Sequence, residues 1–141
     1  AEDASPASVD TCEYITFAST GDAADFGNLV EAMSNGSAGA GDGTKGISAG
    51  GQGSGGAAAN DYIQYVNIAS LGNTTDFGNL SDSRYYNTGF GDGTKFVSAG
   101  GLKTSSYKNI IEYVNFASLG DATDFGDLNT SPIGAMGASG D

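Results

Sequence analysis

Residues able to do acid–base or metal chemistry are few in this chain, and most of them are carboxylates. The 141 residues include 17 Asp and Glu, no His and a single Cys, so imidazole bases, imidazole metal ligands and Cys/His pairs are excluded. The best-spaced acids are Asp22 and Asp25, a pair that recurs as Asp121 and Asp124. Paired carboxylates serve glycosidases, but Asn73 replaces the first member in a third copy of the same phrase. We therefore predict turn-forming acids and no enzyme activity.

Calcium binding and phosphate binding are the other chemistries that the loops suggest. Asp42 and Asp92 each begin the phrase Asp-Gly-Thr, and calcium takes carboxylates together with carbonyl oxygens from glycine-rich loops. Both phrases lack the clustered acids of a calcium loop, so we expect plain hairpin turns, with calcium as the alternative and no other cofactor. The segment GAGDGTK, residues 39–45, lacks the spacing of a phosphate-binding loop and precedes a predicted strand rather than a helix.

Composition and charge narrow the classes of partner. Five basic residues against 17 acidic ones give a net charge of −12, which leaves no basic stripe for nucleic acid. No apolar run is long enough to span a bilayer, so we expect no membrane insertion. The chain begins at Ala1 without Met, from which we expect either a removed signal peptide or a piece of a longer protein. An extracellular location, secreted or on a virion surface, is the prediction.

One phrase occurs three times and a second occurs twice. The copies of the first are EYITFASTGDAADFGNL (13–29), IQYVNIASLGNTTDFGNL (63–80) and IEYVNFASLGDATDFGDL (111–128). The copies of the second are GDGTKGISAGG (41–51) and GDGTKFVSAGG (91–101). The tyrosines of the first phrase, Tyr14, Tyr65 and Tyr113, are 51 and 48 residues apart. A period near 50 predicts β units that are stacked or arranged radially.

Each unit has the pattern of four strands. The third-unit strand that contains Tyr113 has apolar residues on both faces, as expected for a strand packed on both sides. A turn with a glycine follows, and DFGDL then predicts an outer strand anchored by Phe125 and Leu128. The GDGT hairpin leads into a strand that ends in two glycines. Cys12 occupies the position of Ile63 and Ile111, so we expect a small buried hydrophobe.

These units resemble the kelch repeat, a family that builds β-propellers from four-stranded blades. The resemblance depends on a double glycine, a tyrosine and a later aromatic residue, at Gly50, Gly51, Gly100, Gly101, Tyr65, Tyr113, Phe77 and Phe125. The chain departs from kelch in having no Trp and a longer gap between the tyrosine and the aromatic residue. In wording it looks more like repeats in long predicted structural proteins of marine bacteria and their viruses. The fold predicted is all-β, with about three kelch-like units, propeller-like or in stacked sheets completed between chains.

The order of these strands predicts an incomplete array. The expected parts are an N-terminal segment, 1–11, as a candidate donor strand, and a repeat domain, 12–141, with units near 12–51, 52–101 and 102–141. In kelch order the chain supplies strands three and four, two complete units and one first strand, too few to close a propeller. Copies completing one ring, copies joined end to end, and a fragment of a longer array are the three solutions. The residues predicted to join copies are Ser5, Pro6, Ala7, Ser8, Val9, Ala138, Ser139, Gly140 and Asp141.

Candidate surface sites lie in the loops between strands. Four sequons make Asn35, Asn73, Asn79 and Asn129 candidates for glycosylation. Two segments without repeat counterparts, 81–90 and 101–109, form a candidate ligand loop with the side chains Arg84, Tyr85, Tyr86, Lys103, Tyr107 and Lys108.

Two functions from different classes remain open. The first is a non-enzymatic structural protein whose copies assemble with one another into an extracellular fibre or a virion-associated polymer. The alternative is a propeller-like module, of a tail fibre or surface adhesin, that binds glycans or protein.

Overall fold

The structure is a computed structural model that describes residues 8–53 and 58–130. Twelve strands and no helix occur in this part of the chain, which confirms the all-β prediction. The strands are β1 (Val9–Tyr14), β2 (Ala24–Met33), β3 (Ala38–Gly41), β4 (Lys45–Ala49), β5 (Tyr62–Asn67), β6 (Thr75–Asn79), β7 (Thr88–Gly91), β8 (Lys95–Ala99), β9 (Leu102–Lys103), β10 (Ser106–Tyr107), β11 (Ile110–Asn115) and β12 (Thr123–Asp127).

The strands pair into two four-stranded antiparallel sheets and two hairpins. One sheet has the order β3-β4-β5-β6, and the other has the order β7-β8-β11-β12. The β1 and β2 strands form a two-stranded sheet that corresponds to the outer half of a unit, and β9 pairs with β10. Each four-stranded sheet therefore combines the GDGT hairpin of one phrase with the tyrosine strand and DFG strand of the next. The described sheets form no closed ring, so the kelch-like arrangement stays a prediction.

Pairing registers are equivalent in the two four-stranded sheets. Ile47 lies opposite Tyr65 where β4 pairs with β5, and Val97 lies opposite Tyr113 where β8 pairs with β11. Both tyrosine strands also have an irregularity one residue after the isoleucine, where they pair with the DFG strand. The strands are rich in Tyr, Ile and Val, which suit a pleated surface packed on its faces.

The hydrophobic core lies between the two four-stranded sheets. Its largest side chains are Ile63, Phe77, Phe96, Val114 and Phe116, all buried. Because the residues of one strand alternate between faces, the tyrosine strand sends Val114 and Phe116 toward the preceding sheet and Tyr113 toward the opposite side. Each unit thus needs a neighbour on both faces to bury its apolar residues.

Two GDGT turns close the β3-β4 and β7-β8 hairpins as predicted. A side-chain oxygen of Asp42 accepts hydrogen bonds from the backbone N–H groups of Thr44 and Lys45, at 2.7 and 2.6 Å. Asp92 accepts the equivalent bonds at 2.8 and 2.7 Å. The bond from the N–H of Lys45, and then the weaker effect of the bond from Thr44, lower the pKa of Asp42. The equivalent bonds lower the pKa of Asp92. Both acids are turn formers.

Candidate assembly junction

Successive units are joined by the same contact in two places. The contact has two halves: a junction turn (residues 19–23, 70–74 or 118–122) and a junction edge on the DFG strand (residues 26–28, 77–79 or 125–127). In both cases a turn lies against the edge strand of the unit before it. The backbone thereby satisfies donors and acceptors that an exposed edge leaves unpaired.

At the first junction the second-unit turn binds β2. The N–H of Gly72 donates to the carbonyl oxygen of Phe26 at 2.8 Å, and the N–H of Thr74 donates to that of Asn28 at 2.8 Å. The side chain of Asn73 accepts a bond from the N–H of Asn28 at 3.0 Å. Three bonds therefore fix the position of the turn along the strand.

The second junction repeats these bonds on β6. Gly120 N–H donates to the carbonyl oxygen of Phe77 at 2.9 Å, and Ala122 N–H donates to that of Asn79 at 2.8 Å. A carboxylate oxygen of Asp121 accepts from the N–H of Asn79 at 3.0 Å. The amide of Asn73 and the carboxylate of Asp121 accept equivalent hydrogen bonds from the edge strand, because each supplies one acceptor oxygen.

A further bond in each junction comes from the tyrosine strand. The N–H of Val30 donates to Gln64 Oε1 at 2.8 Å, and the N–H of Ser81 donates to Glu112 Oε2 at 3.0 Å. Val30 and Ser81 are equivalent in the repeat, as are Gln64 and Glu112. The residue before the tyrosine is thus an acceptor for the unit before it.

Glycine at the centre of the junction edge permits this close approach. A Cβ added at Gly27 would lie 2.3 Å from the carbonyl oxygen of Gly72, and one added at Gly78 would lie 2.3 Å from that of Gly120. Both edge glycines also have positive φ, 150° and 152°, which side chains disfavour. The DFG phrase therefore needs its glycine for the contact between units.

In the part of the chain that the structure describes, each half of the junction also occurs once without its partner. The edge on β12 is uncovered: Phe125 is 62% exposed, whereas the equivalent Phe26 and Phe77 are 9% and 2% exposed. No described atom lies within 4 Å of a Cβ added at Gly126, although its φ of 145° matches the other edge glycines. The anchor predicted at Phe125 is therefore exposed because nothing described covers the last sheet.

The first unit shows the complementary half. In the described chain the N–H groups of Gly21 and Ala23 make no backbone bond, whereas their equivalents Gly72, Thr74, Gly120 and Ala122 each bond to an edge. Ala23 is also exposed, whereas Thr74 and Ala122 are half-buried. The apolar residue three positions after the tyrosine follows the same trend, since Phe17 is 97% exposed, Ile68 48% and Phe116 2%. Exposure falls along the array because each later unit has more of a preceding unit to pack against.

The predicted assembly residues lie mostly outside the described ranges. Ser5, Pro6 and Ala7 at one end, and Ala138, Ser139, Gly140 and Asp141 at the other, are not described. Ser8 is described, and Val9 begins β1, opposite Met33 of β2. Val9 is therefore already paired with a strand of its own chain.

The candidate glycosylation sites are divided between the junctions and other loops. Asn73 and Asn79 belong to junctions, and the side chain of Asn73 already accepts a backbone bond there. Asn35 is partly buried and donates to the side chain of Gln52. Asn129 is exposed, two residues after β12.

The candidate ligand loop is brought together with one exception. Tyr85 packs edge-to-face on Tyr86, with ring centroids 4.9 Å apart, and Tyr85 is bridged to Leu102 of the β9-β10 hairpin that contains Tyr107. Lys103 and Lys108 both contact Asp82, the second at 2.8 Å. Burial acts to raise the pKa of Asp82, but the two lysines outweigh it and lower that pKa.

Arg84 is the exception, because its side chain is buried rather than on the loop surface. It forms an ion pair with the buried Glu112 and donates to Ser98 Oγ at 3.3 Å. Burial lowers the pKa of Arg84, and the adjacent Glu112 opposes that shift. The prediction that Arg84 is a surface ligand contact is therefore not supported. The sequence shows only an unrepeated cation within a loop, which does not reveal its buried partner Glu112.

The remaining sequence candidates show no site geometry. Cys12 is partly buried and lines a cleft of about 150 Å³ with Leu29 and Ile47; burial, and then Asp25, raises the pKa of its thiol. Among the described residues, no group of three or more Asp, Glu or Cys side chains is arranged to hold a metal ion. Asp22 and Asp121 belong to junction turns.

Sequence reasoning treated the DFG phrase as scaffolding and so missed the junction edge. The sequence does contain a sign of this edge, because all three copies have a glycine in the turn and another in the DFG phrase. Two glycines at a fixed spacing in every copy are expected where two backbones approach each other closely.

Comparisons with known proteins add no family. No family model and no curated protein matches this chain. In the described ranges there is also no helix long and apolar enough to cross a membrane.

Proposed function

We propose that this chain is a non-enzymatic structural protein whose copies assemble with one another into an extracellular fibre or a virion-associated polymer. One observation carries the proposal. The contact that joins successive units occurs twice within the chain, and both of its halves occur once more, uncovered, on the first and last described units.

The geometry of the two halves favours a polymer over a closed pair. The exposed turn and the exposed edge are different surfaces, so a contact between them is heterologous, and a heterologous contact that does not close gives a filament. An uncovered sheet edge with an exposed Phe125 is also a surface that proteins tend to cover. The partner proposed is therefore a second copy of this chain.

The surface chemistry supports a location outside the cell. A net charge of −12 with five basic residues keeps an exposed polymer soluble and disfavours nucleic acids as partners. Sequons at exposed positions such as Asn129 are compatible with glycosylation.

Assembly is tested directly with the purified full chain. Sedimentation and light scattering over a wide range of protein concentration, with negative-stain microscopy of the same samples, are expected to show masses that rise with concentration and linear particles. A single chain mass at every concentration would overturn the proposal.

A glycan-binding module is the second candidate, favoured by the ligand loop. Tyr86 and Tyr107 are exposed there, and the non-glycine residues with positive φ in the described chain, Tyr86 at 57° and Thr104 at 55°, both lie in it. Strained backbone often occurs at functional sites, and exposed tyrosines stack on sugars. Saturable binding on a glycan array that Tyr107→Ala abolishes would support this function.

A further inference from the structure

We infer that copies join by the same junction that joins units within one chain: the turn at residues 19–23 of one copy binds the β12 edge at residues 125–127 of another. The inference rests on the proposed assembly and specifies its interface. The occupant is a second copy because the missing half of each exposed surface is present on the same chain. The junction between copies would extend the series of two junctions that each chain already contains.

The repeat fixes which atoms would meet. Shifting the internal bonds by one unit makes Gly21 N–H donate to the carbonyl oxygen of Phe125 and Ala23 N–H donate to that of Asp127. The N–H of Asp127 would donate to the carboxylate of Asp22, as Asn79 does to Asp121. The N–H of Asn129 would donate to Glu13, as Ser81 does to Glu112.

Both halves are already shaped for this contact. The free turn has the same internal bond as the occupied turns: Ser19 N–H donates to Thr16, Ser70 to Asn67 and Ser118 to Asn115, each at 3.2 Å. On the free edge, the Tyr113 and Phe125 rings lie edge-to-face at 6.0 Å, close to the 5.8 Å of Tyr65 and Phe77. Preformed surfaces lose little entropy when they bind.

Charge makes the junction between copies weaker than the internal ones. At each junction one edge residue lies against one turn side chain. These residues are Asn28 and Asn73 at the first internal junction and Asn79 and Asp121 at the second, whereas the junction between copies would bring Asp127 against Asp22. Glu13 adds a carboxylate where the first internal junction has Gln64. Like charges that approach each other oppose association, so this contact is reversible where the internal ones are permanent.

Two blocking variants test the interface. Gly126→Ala places a Cβ where the turn of the next copy must lie, and Ala23→Pro removes an N–H donor from the turn. Each variant alone is expected to remain monomeric in sedimentation. Mixed together they are expected to form a heterodimer of two chains, because each retains the half that the other lacks.

Controls separate blocking from misfolding. Gly93 also has a positive φ, 80°, and no described atom lies within 4 Å of a Cβ added there, so Gly93→Ala introduces backbone strain away from the junction and is expected to polymerise like the wild type. Circular dichroism and thermal melting confirm that each variant is folded.

A milder pair of variants tests the polar contacts without strain. Glu13→Ala is expected to weaken association about tenfold, while Glu13→Gln retains it because Gln64 already makes this bond. Glu31→Ala removes an exposed charge elsewhere on β2 and is expected not to weaken association.

The outcomes are distinguishable. If the wild type assembles but Gly126→Ala and Ala23→Pro still polymerise alone, the interface is wrong and the proposed function stands; deletion of residues 1–7 then tests the donor strand. If the mixed variants do not pair while each is monomeric and folded, the head-to-tail geometry is wrong. A monomeric wild type overturns both.

Discussion

At the scale of single residues, the Arg84–Glu112 pair links the loop between the four-stranded sheets to the tyrosine strand. Glu112 also accepts from the N–H of Ser81 at 3.0 Å, so its two oxygens are both used. Arg84 is less well satisfied, since its Nε and Nη1 have no hydrogen-bond partner in the described chain. A buried ion pair with unsatisfied donors adds little net stability, although removing one partner leaves a buried charge without compensation.

Removing one member of this pair is expected to be costly. Arg84→Met leaves the Glu112 carboxylate buried without a counter-ion, which should lower the free energy of unfolding by about 3–5 kcal/mol. Urea unfolding of the monomeric Gly126→Ala background measures it. The double variant Arg84→Met/Glu112→Gln should recover part of the loss, and a double variant no more stable than Arg84→Met would contradict this account.

Asp92 gives a second prediction at this scale, concerning pH. Its pKa is lowered from 3.8 by the backbone bonds from Lys95 and Thr94. Because the pKa in the folded state is lower than in the unfolded state, the charged carboxylate stabilises the fold at any pH above the unfolded pKa. This gain in stability is lost as the pH falls through the folded-state pKa. The difference in stability between the wild type and Asp92→Asn should therefore be largest at neutral pH and shrink below 3.8. An unchanged difference in acid would refute the role of the charge.

At the scale of elements, two strands of nearly identical sequence have different environments because their neighbours differ. The phrases TDFGN and TDFGD of β6 and β12 differ in one residue, yet Phe77 is buried and Phe125 is exposed. The local conformation is the same, including the φ of the glycine. Burial is thus decided by the adjacent turn and not by the strand.

The same comparison predicts unequal effects of one substitution. Gly78→Ala places a Cβ 2.3 Å from the carbonyl oxygen of Gly120, whereas a Cβ at Gly126 has no described atom within 4 Å. Both incur backbone strain, but only Gly78→Ala forces two backbones apart, so it should be less stable by an additional ~2 kcal/mol. Thermal melting of the two variants, each placed in the monomeric Ala23→Pro background, measures the difference, and equal melting temperatures would show that the edge glycine is needed only for its φ.

At the scale of the whole molecule, charge opposes the proposed assembly. Each copy has a net charge of −12, and the proposed contact brings acidic residues of both copies together. Repulsion over these distances is screened when the Debye length falls, from about 30 Å at 0.01 M salt to about 8 Å at physiological salt.

Monovalent salt is therefore expected to promote polymerisation. Raising sodium chloride at constant pH should lower the protein concentration at which polymers appear, and Asp22→Asn should reduce this dependence because Asn73 serves the same role without charge. Light scattering in a salt titration measures both effects. Assembly that weakens with salt would show that ion pairs, rather than backbone bonds with residual repulsion, hold copies together.

The sequence alone determined the all-β character and the two GDGT turns, because these depend on local patterns: alternation, Asp-Gly bends and a fixed period. It did not locate Arg84, whose buried partner is 28 residues away. Nor did it show that the DFG glycine and the turn glycine meet across units, because a close approach of backbones is a property of two segments together. Only the tertiary structure decided which copies of one phrase are covered, since burial depends on the neighbour that each copy has.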